Sequence, residues 1–169
     1  MVWRVLKSIL ILPLNAAGSI PALVLWLSHD TNHRWSLPTP ATPRLWLAAG
    51  LATVGFVLAI ATIRVFIRIG KGTPAPWDPP AKLVVDGPYR YVRNPMISGM
   101  LFMLTAEAVF FASLPLAGWA VLFGVANSIY FPLFEEKGLE ARFGDDYRRY
   151  KAQVPRWLPR LTPWTPPED

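Results

Sequence analysis

The sequence predicts an all-α integral membrane protein. About four transmembrane helices are expected, the last two a tight helical hairpin, followed by cytosolic amphipathic helices. Three observations lead there. Of the 169 residues, 53% are hydrophobic, above the roughly 45–50% apolar share of soluble domains, and the mean hydropathy is +0.30. The excess is gathered into long uncharged runs, and the basic residues sit at the ends of those runs.

A bilayer is crossed by a helix of roughly 17–25 apolar residues. The first candidate is Ser8 to Leu27, in which Pro13 and Pro21 should introduce kinks. The second runs from Leu45 to about Ile69, with Arg64 and Arg68 near its end. The third spans Pro95 to about Ala112 and the fourth Leu116 to Phe134. Only Ser113-Leu114-Pro115 joins the last two, which dictates a hairpin.

Orientation follows from charge. Of the 17 Lys and Arg residues, all but Arg34 and Arg44 fall at the N-terminus, between spans two and three, or after span four. The positive-inside rule then places both termini and the middle loop in the cytosol, consistent with a bacterial inner membrane. The net charge of +6 has its explanation here, and no basic patch interleaved with aromatics points to nucleic acid. Cysteine is absent, which excludes disulfides, thiolate metal sites and cysteine nucleophiles. His29, Asp30 and His33 have metal-like spacing but lie in a short loop on the non-cytosolic side, so no metal is expected. No cleavable signal is evident behind Arg4 and Lys7. The eight Trp residues mostly fall near span ends, as in an aromatic belt.

The loop of residues 71–88 holds Pro74, Pro76, Pro79, Pro80 and Pro88, so a rigid, extended course is expected. Its Leu83-Val84-Val85 suits a short strand before an Asp86-Gly87 turn. Beyond span four, Leu139, Phe143, Tyr147, Tyr150 and Val154 form one helical stripe. Gly144 should break that helix, Asp145 cap the next and Pro155 stop it. The Lys- and Arg-rich opposite face fits a helix lying on anionic headgroups.

Two features carry chemistry. Asn94 is a good N-cap and Pro95 a favoured first residue, so span three opens with its positive dipole end at the cytosolic interface. Such an end attracts carboxylates and phosphates, and Arg90 and Arg93 stand just before it. Gly99, a turn inside, leaves room for a ligand or another helix. A capped helix with snorkelling arginines is the plainer reading. The hairpin returns Glu135 and Glu136 to the same end, where they either recognise a cation or form a salt bridge to Arg90 or Arg93. An anion site beside a cation site is what a zwitterionic amino-acid group requires. Tyr89, Tyr91 and Trp77 offer cation–π attraction to a positive ligand.

These residues bring a resemblance with them. The segment GTPAPWDPP…LVVDGPYRYVRNPMISG, a hairpin, and then EEKGLEARFGDDYRRYKAQVPRWLP resemble the isoprenylcysteine carboxyl methyltransferase and phospholipid methyltransferase superfamily of integral membrane enzymes. The resemblance covers about residues 71–160, within a single membrane domain of residues 1–169 whose first 70 residues supply two spans. Arg93, Asn94, Pro95 and Gly99 match its R-(H/N)-P-x-Y-x-G pattern, with Ile97 where tyrosine is usual. Glu135, Glu136, Leu139, Phe143, Gly144, Tyr147, Tyr150, Val154 and Pro155 match its second block.

The resemblance implies S-adenosylmethionine as cofactor, in a cytosol-facing pocket built by the two blocks, and a lipophilic or small acceptor (carboxylate, amine or thiol), a lipophilic one entering from the bilayer. It implies cofactor contacts from Tyr89, Tyr91, Arg93, Asn94, Pro95, Gly99, Glu135, Glu136, Leu139 and Tyr147. The cofactor carboxylate falls to Arg93 and the span-three N-terminus, the ammonium to Glu135 or Glu136. No dedicated base stands out, and the candidates for a catalytic role are Arg93, Glu136 and Glu107. Glu107 lies well inside span three, where an acid costs about 2.5–3.5 kcal/mol; it marks either a functional group or a tie to Asn127 or Asn15. The alternatives to a methyltransferase are a membrane reductase using NADPH and a non-catalytic membrane scaffold.

Overall fold

The computed structural model describes residues 13–28, 35–70 and 82–165. Arg4, Lys7, His29, Asp30, His33, Arg34, Trp77 and the prolines between residues 74 and 80 lie outside the described residues. All regular structure within them is helical.

Helix α1 is Asn15–Ser28. It opens with a π-helical turn, Asn15–Ser19, whose closing bond runs from the Ile20 N–H to the Asn15 carbonyl. Pro21 follows directly. A proline ring collides with the carbonyl four residues back, and the wider turn absorbs that conflict. Helix α2, Pro43–Val65, starts with Pro43 in its first turn and runs on into a second π turn, Phe66–Gly70. Helix α3 is Pro95–Phe111 and helix α4 Leu114–Tyr130. A third π turn, Phe131–Glu135, sits on Pro132 and closes from the Glu136 N–H to the Phe131 carbonyl. Helix α5, Glu136–Gln153, completes the chain of helices.

Among the described residues, two helical stretches are long and apolar enough to cross a membrane: Pro43–Ile69, with mean hydropathy 2.1 over its best window, and the one that starts at Leu114, with 1.5. The apolar helices α1 and α3 are shorter and pack against them. Trp26, Trp46, Phe56, Val57, Val121 and Leu122 are all exposed. Such an apolar exterior suits hydrocarbon rather than water.

The packing has identifiable causes. Gly55 of α2 faces Gly99 of α3, and a Cβ on Gly99 would stand 3.1 Å from the Gly55 carbonyl oxygen. The α3–α4 hairpin turns at Ala112, left-handed at φ 48°, and at Ser113, whose hydroxyl accepts from the Leu116 N–H. Helix α1 docks on α4 where the Trp119 indole donates to the Ala16 carbonyl at 2.9 Å.

Residues 83–85 form no strand, which corrects the sequence expectation. The segment is extended but has no ladder partner among the described residues. Val84 packs with Val65 and Phe66, while Leu83 and Val85 pack on Tyr147, Tyr150 and Val154. The three apolar side chains instead wedge the segment between two helices. Gly144 breaks α5 as expected, at φ 55° and ψ −127°. Asp145 binds the Arg148 side chain at 2.8 Å.

After Val154 the chain doubles back along residues 90–93. The Arg93 N–H donates to the Pro155 carbonyl, the Arg160 N–H to Tyr91 and the Trp164 N–H to Arg90, each at 2.9 Å. The Arg90 guanidinium binds the Trp164 carbonyl and the Thr165 hydroxyl. Arg90 is thus occupied in anchoring the tail, not in the anion pocket foreseen for it.

Candidate functional site

The site forms where the start of α3 meets the start of α5. Arg93 is carried there by the short 3-10 turn Gly87–Arg90, which Asp86 opens by accepting from the Gly87 N–H at 2.8 Å. Glu135 and Glu136 are carried there by the π turn on Pro132.

Arg93 and Glu136 meet. Nη1 of Arg93 lies 2.9 Å from Oε1 of Glu136, and the side chains are 10% and 3% exposed. Arg156 grips the same carboxylate with both Nε, at 2.6 Å, and Nη2, at 3.1 Å. Lys151 approaches it at 3.3 Å and holds Glu140 at 2.7 Å. Burial pushes the Glu136 pKa up, but the Arg156 hydrogen bonds and the charges of Arg93 and Arg156 outweigh it and hold the carboxyl below its ordinary value. Three cations against two acids leave a net positive cluster.

Glu135 has a different environment. Burial raises its pKa above the ordinary value, with the charge of Arg142 pulling the other way. It stands near Tyr89: burial first, and then the Glu135 charge, push the Tyr89 phenol upward. Tyr89 packs its ring on Phe66, centroids 5.8 Å apart, and its carbonyl accepts from the Tyr150 hydroxyl at 2.7 Å. Tyr147 is buried beside Arg93. Burial and the Glu136 charge push its pKa up to about 12, against the pull of Arg93.

Asn94 departs from the sequence expectation. It occupies the cap position of α3, but its side chain makes no capping bond. Its Nδ2 is buried without a hydrogen-bond partner among the described residues, as is Nε of Arg93. The Asn94 carbonyl instead takes both the N–H and the hydroxyl of Ser98. Pro95 has no N–H, and those of Met96 and Ile97 have no acceptor within the helix. Donors therefore converge on the head of α3 beside excess positive charge, an arrangement suited to a carboxylate or phosphate.

Other expected residues are directed elsewhere. Gly99 faces Gly55, so its open position serves a helix contact. Tyr91, 36% exposed, lines a groove between α3 and α4 with Trp157 and Leu158. Leu139 packs under Tyr147 and Tyr150. Glu107 lines a separate cavity between α1, α2 and α3, while Asn127 donates to the Phe123 carbonyl in its own helix. Sequence reasoning missed Arg156 and Lys151 as partners of Glu136. The signal for Arg156 was its place directly after Pro155, where the chain leaves the helix.

Residues 43–146, more than half of the chain, match the family model described as phospholipid methyltransferase. The chain belongs to that family. It is 36% identical over 76 residues to methanethiol S-methyltransferase 2 of Bradyrhizobium diazoefficiens, a match covering 43% of this chain and 27% of the relative. A stretch of 24 residues is 67% identical to an uncharacterized protein of Haemophilus influenzae, covering 14% of this chain and 38% of that one. The chain thus spans well under two thirds of the curated relatives it matches. Family and apolar helices together make this a membrane protein of a methyltransferase family.

Proposed function

We propose that the protein transfers a methyl group from S-adenosylmethionine to a lipophilic or small acceptor at the cytosolic face of a bacterial inner membrane. The observation that carries this reading is the pair of buried, unpartnered donors, Arg93 Nε and Asn94 Nδ2, at the head of α3. They fit the carboxylate of the methionine moiety, with the N–H groups of Met96 and Ile97 beside them. Glu135 takes the ammonium. Glu136 does not, because its carboxylate is already shared by Arg93, Lys151 and Arg156. It positions Arg93 instead. Tyr89 and Tyr147 shape the wall next to these groups, and Leu139 supports Tyr147 from beneath.

When bound, the cofactor supplies a sulfonium methyl that the acceptor takes with its own lone pair, while sulfur keeps the electrons of the broken bond as a neutral thioether. The protein has two tasks. It aligns the acceptor, a contribution that reaches roughly 7–11 kcal/mol at best, and it keeps water away from the reacting atoms. Four spans with cytosolic termini fit the basic-residue distribution. The single domain of residues 1–169 then divides into an N-terminal pair of helices and the methyltransferase-like region of residues 71–160.

The test is thermal unfolding of the detergent-solubilised protein with S-adenosylmethionine, with S-adenosylhomocysteine and with NADPH. Stabilisation by the first two is expected through mass action. Stabilisation by NADPH alone identifies a reductase, and a response to none of them leaves a scaffold.

A further inference from the structure

The cavity between α1, α2 and α3 is not used by the site just described. Its volume is about 710 Å³. Along its α3 wall run Met96, Met100, Met103 and Glu107, spaced as one helical face. Among the described residues Glu107 is the sole ionisable group in an otherwise apolar lining. Its Oε2 is buried and has no hydrogen-bond partner among the described residues. Leaving such an oxygen unmatched in an apolar, membrane-embedded setting is costly, so a ligand that supplies a donor there gains by doing so. The groove between α3 and α4 differs. Its Ser98 and Thr105 hydroxyls already donate to the Asn94 and Leu101 carbonyls of their own helix.

The other end of the cavity has a different neighbour. Met96 is two residues from Asn94, at the head of α3 where the donors converge. At 1.5 Å per residue, the rise from Met96 to Glu107 is about 16 Å. We propose that this cavity is the acceptor chamber, and that the acceptor is an elongated lipophile with a hydrogen-bond-donating head, an amine or a hydroxyl, on Glu107. Its methyl-accepting atom lies at the Met96 end. The chamber deepens the methyltransferase reading and rests on it for naming the ligand an acceptor. The binding site itself stands on the cavity and on Glu107.

The test uses the full chain in phosphatidylcholine nanodiscs and a dodecylamine carrying a mid-chain diazirine. Irradiation should label cavity-facing peptides of α2 and α3. Excess dodecylamine or dodecanol should suppress that labelling, and dodecane should do so roughly tenfold less effectively. Glu107→Leu should erase the difference between these competitors. Should Glu107→Leu fail to fold, Glu107→Gln carries the test: it should weaken dodecylamine more than dodecanol. Labelling spread evenly over the outward faces around Trp46 and Val121, or competition indifferent to both substitutions, overturns the chamber. S-adenosylhomocysteine binding is read on the same samples. Binding without competable labelling refutes the chamber alone, whereas no binding by the unaltered protein refutes the methyltransferase reading on which the acceptor's name depends.

Discussion

Arg93 Nη1 and Glu136 Oε1 stand 2.9 Å apart, joining the head of α3 to the head of α5 in an almost fully buried ion pair. A buried pair is costly to break from one side, because the remaining charge is left uncompensated. Its neighbour Glu135 carries no ion pair among the described residues. The two adjacent acids therefore have separable consequences.

Glu136→Ala is expected to lower stability by about 3 kcal/mol, read as a clear fall in melting temperature without ligand. Glu135→Gln should leave that temperature nearly unchanged and weaken S-adenosylmethionine binding by roughly tenfold, the worth of one charge-assisted hydrogen bond. Arg93→Ala should do both. Equal effects of the two acid substitutions on affinity would sink the division of labour proposed for them.

Acid should act on the two carboxyls in opposite senses. The Glu136 pKa is held below its ordinary 4.5 in the folded protein. Its stabilising contribution is complete above that value and is lost as the pH falls through the lower folded value. The Glu135 pKa is raised above 4.5, so it favours the folded state below that value and loses this contribution as the pH rises through the higher one. Thermal unfolding followed from about pH 7 to pH 3 should show a milder acid-side fall in Glu136→Gln and a steeper one in Glu135→Gln.

The contact between α2 and α3 makes a graded prediction. A Cβ on Gly55 would lie 2.6 Å from Met103 Cγ and 2.8 Å from the Gly99 carbonyl oxygen, whereas one on Gly99 meets nothing nearer than 3.1 Å. Gly55→Ala should therefore destabilise more than Gly99→Ala, by about 1–3 kcal/mol for the former. Chemical denaturation in detergent measures the order. A larger effect at Gly99 would mean that the glycine serves something besides the helix contact.

Ala112 holds a left-handed backbone at φ 48° in the α3–α4 turn. Glycine adopts that conformation without the steric cost of a Cβ. Ala112→Gly is expected to raise the melting temperature, with a gain of about 0.5–1 kcal/mol.

Much of this was legible in the sequence because it is local or periodic. The apolar runs gave the helices between Leu45 and Phe134 to within a few residues at each end. The stripe from Leu139 to Val154 and the break at Gly144 follow from spacing and from a glycine's freedom. What escaped was not periodic. No pattern announces that Arg90 will bind a tail beginning beyond Pro155, or that Arg156 will share the carboxylate of Glu136 with Arg93. Asn94 misled for a different reason. The residue type is right for a cap, yet its side chain is withheld from the helix and left as a free donor.

Pro132 also gives the acids their bearing. The π turn Phe131–Glu135 holds one residue more than an α-turn would. Were the same residues wound as an ordinary α-helix, all that follows would swing by about 100° around the helix axis. Glu135 would turn into the bearing that Glu136 now holds against Arg93, and Glu136 would turn past it, away from both Arg93 and Tyr89. The frame of that single turn, and not the identity of the two glutamates, decides which of them is structural and which is available to a ligand.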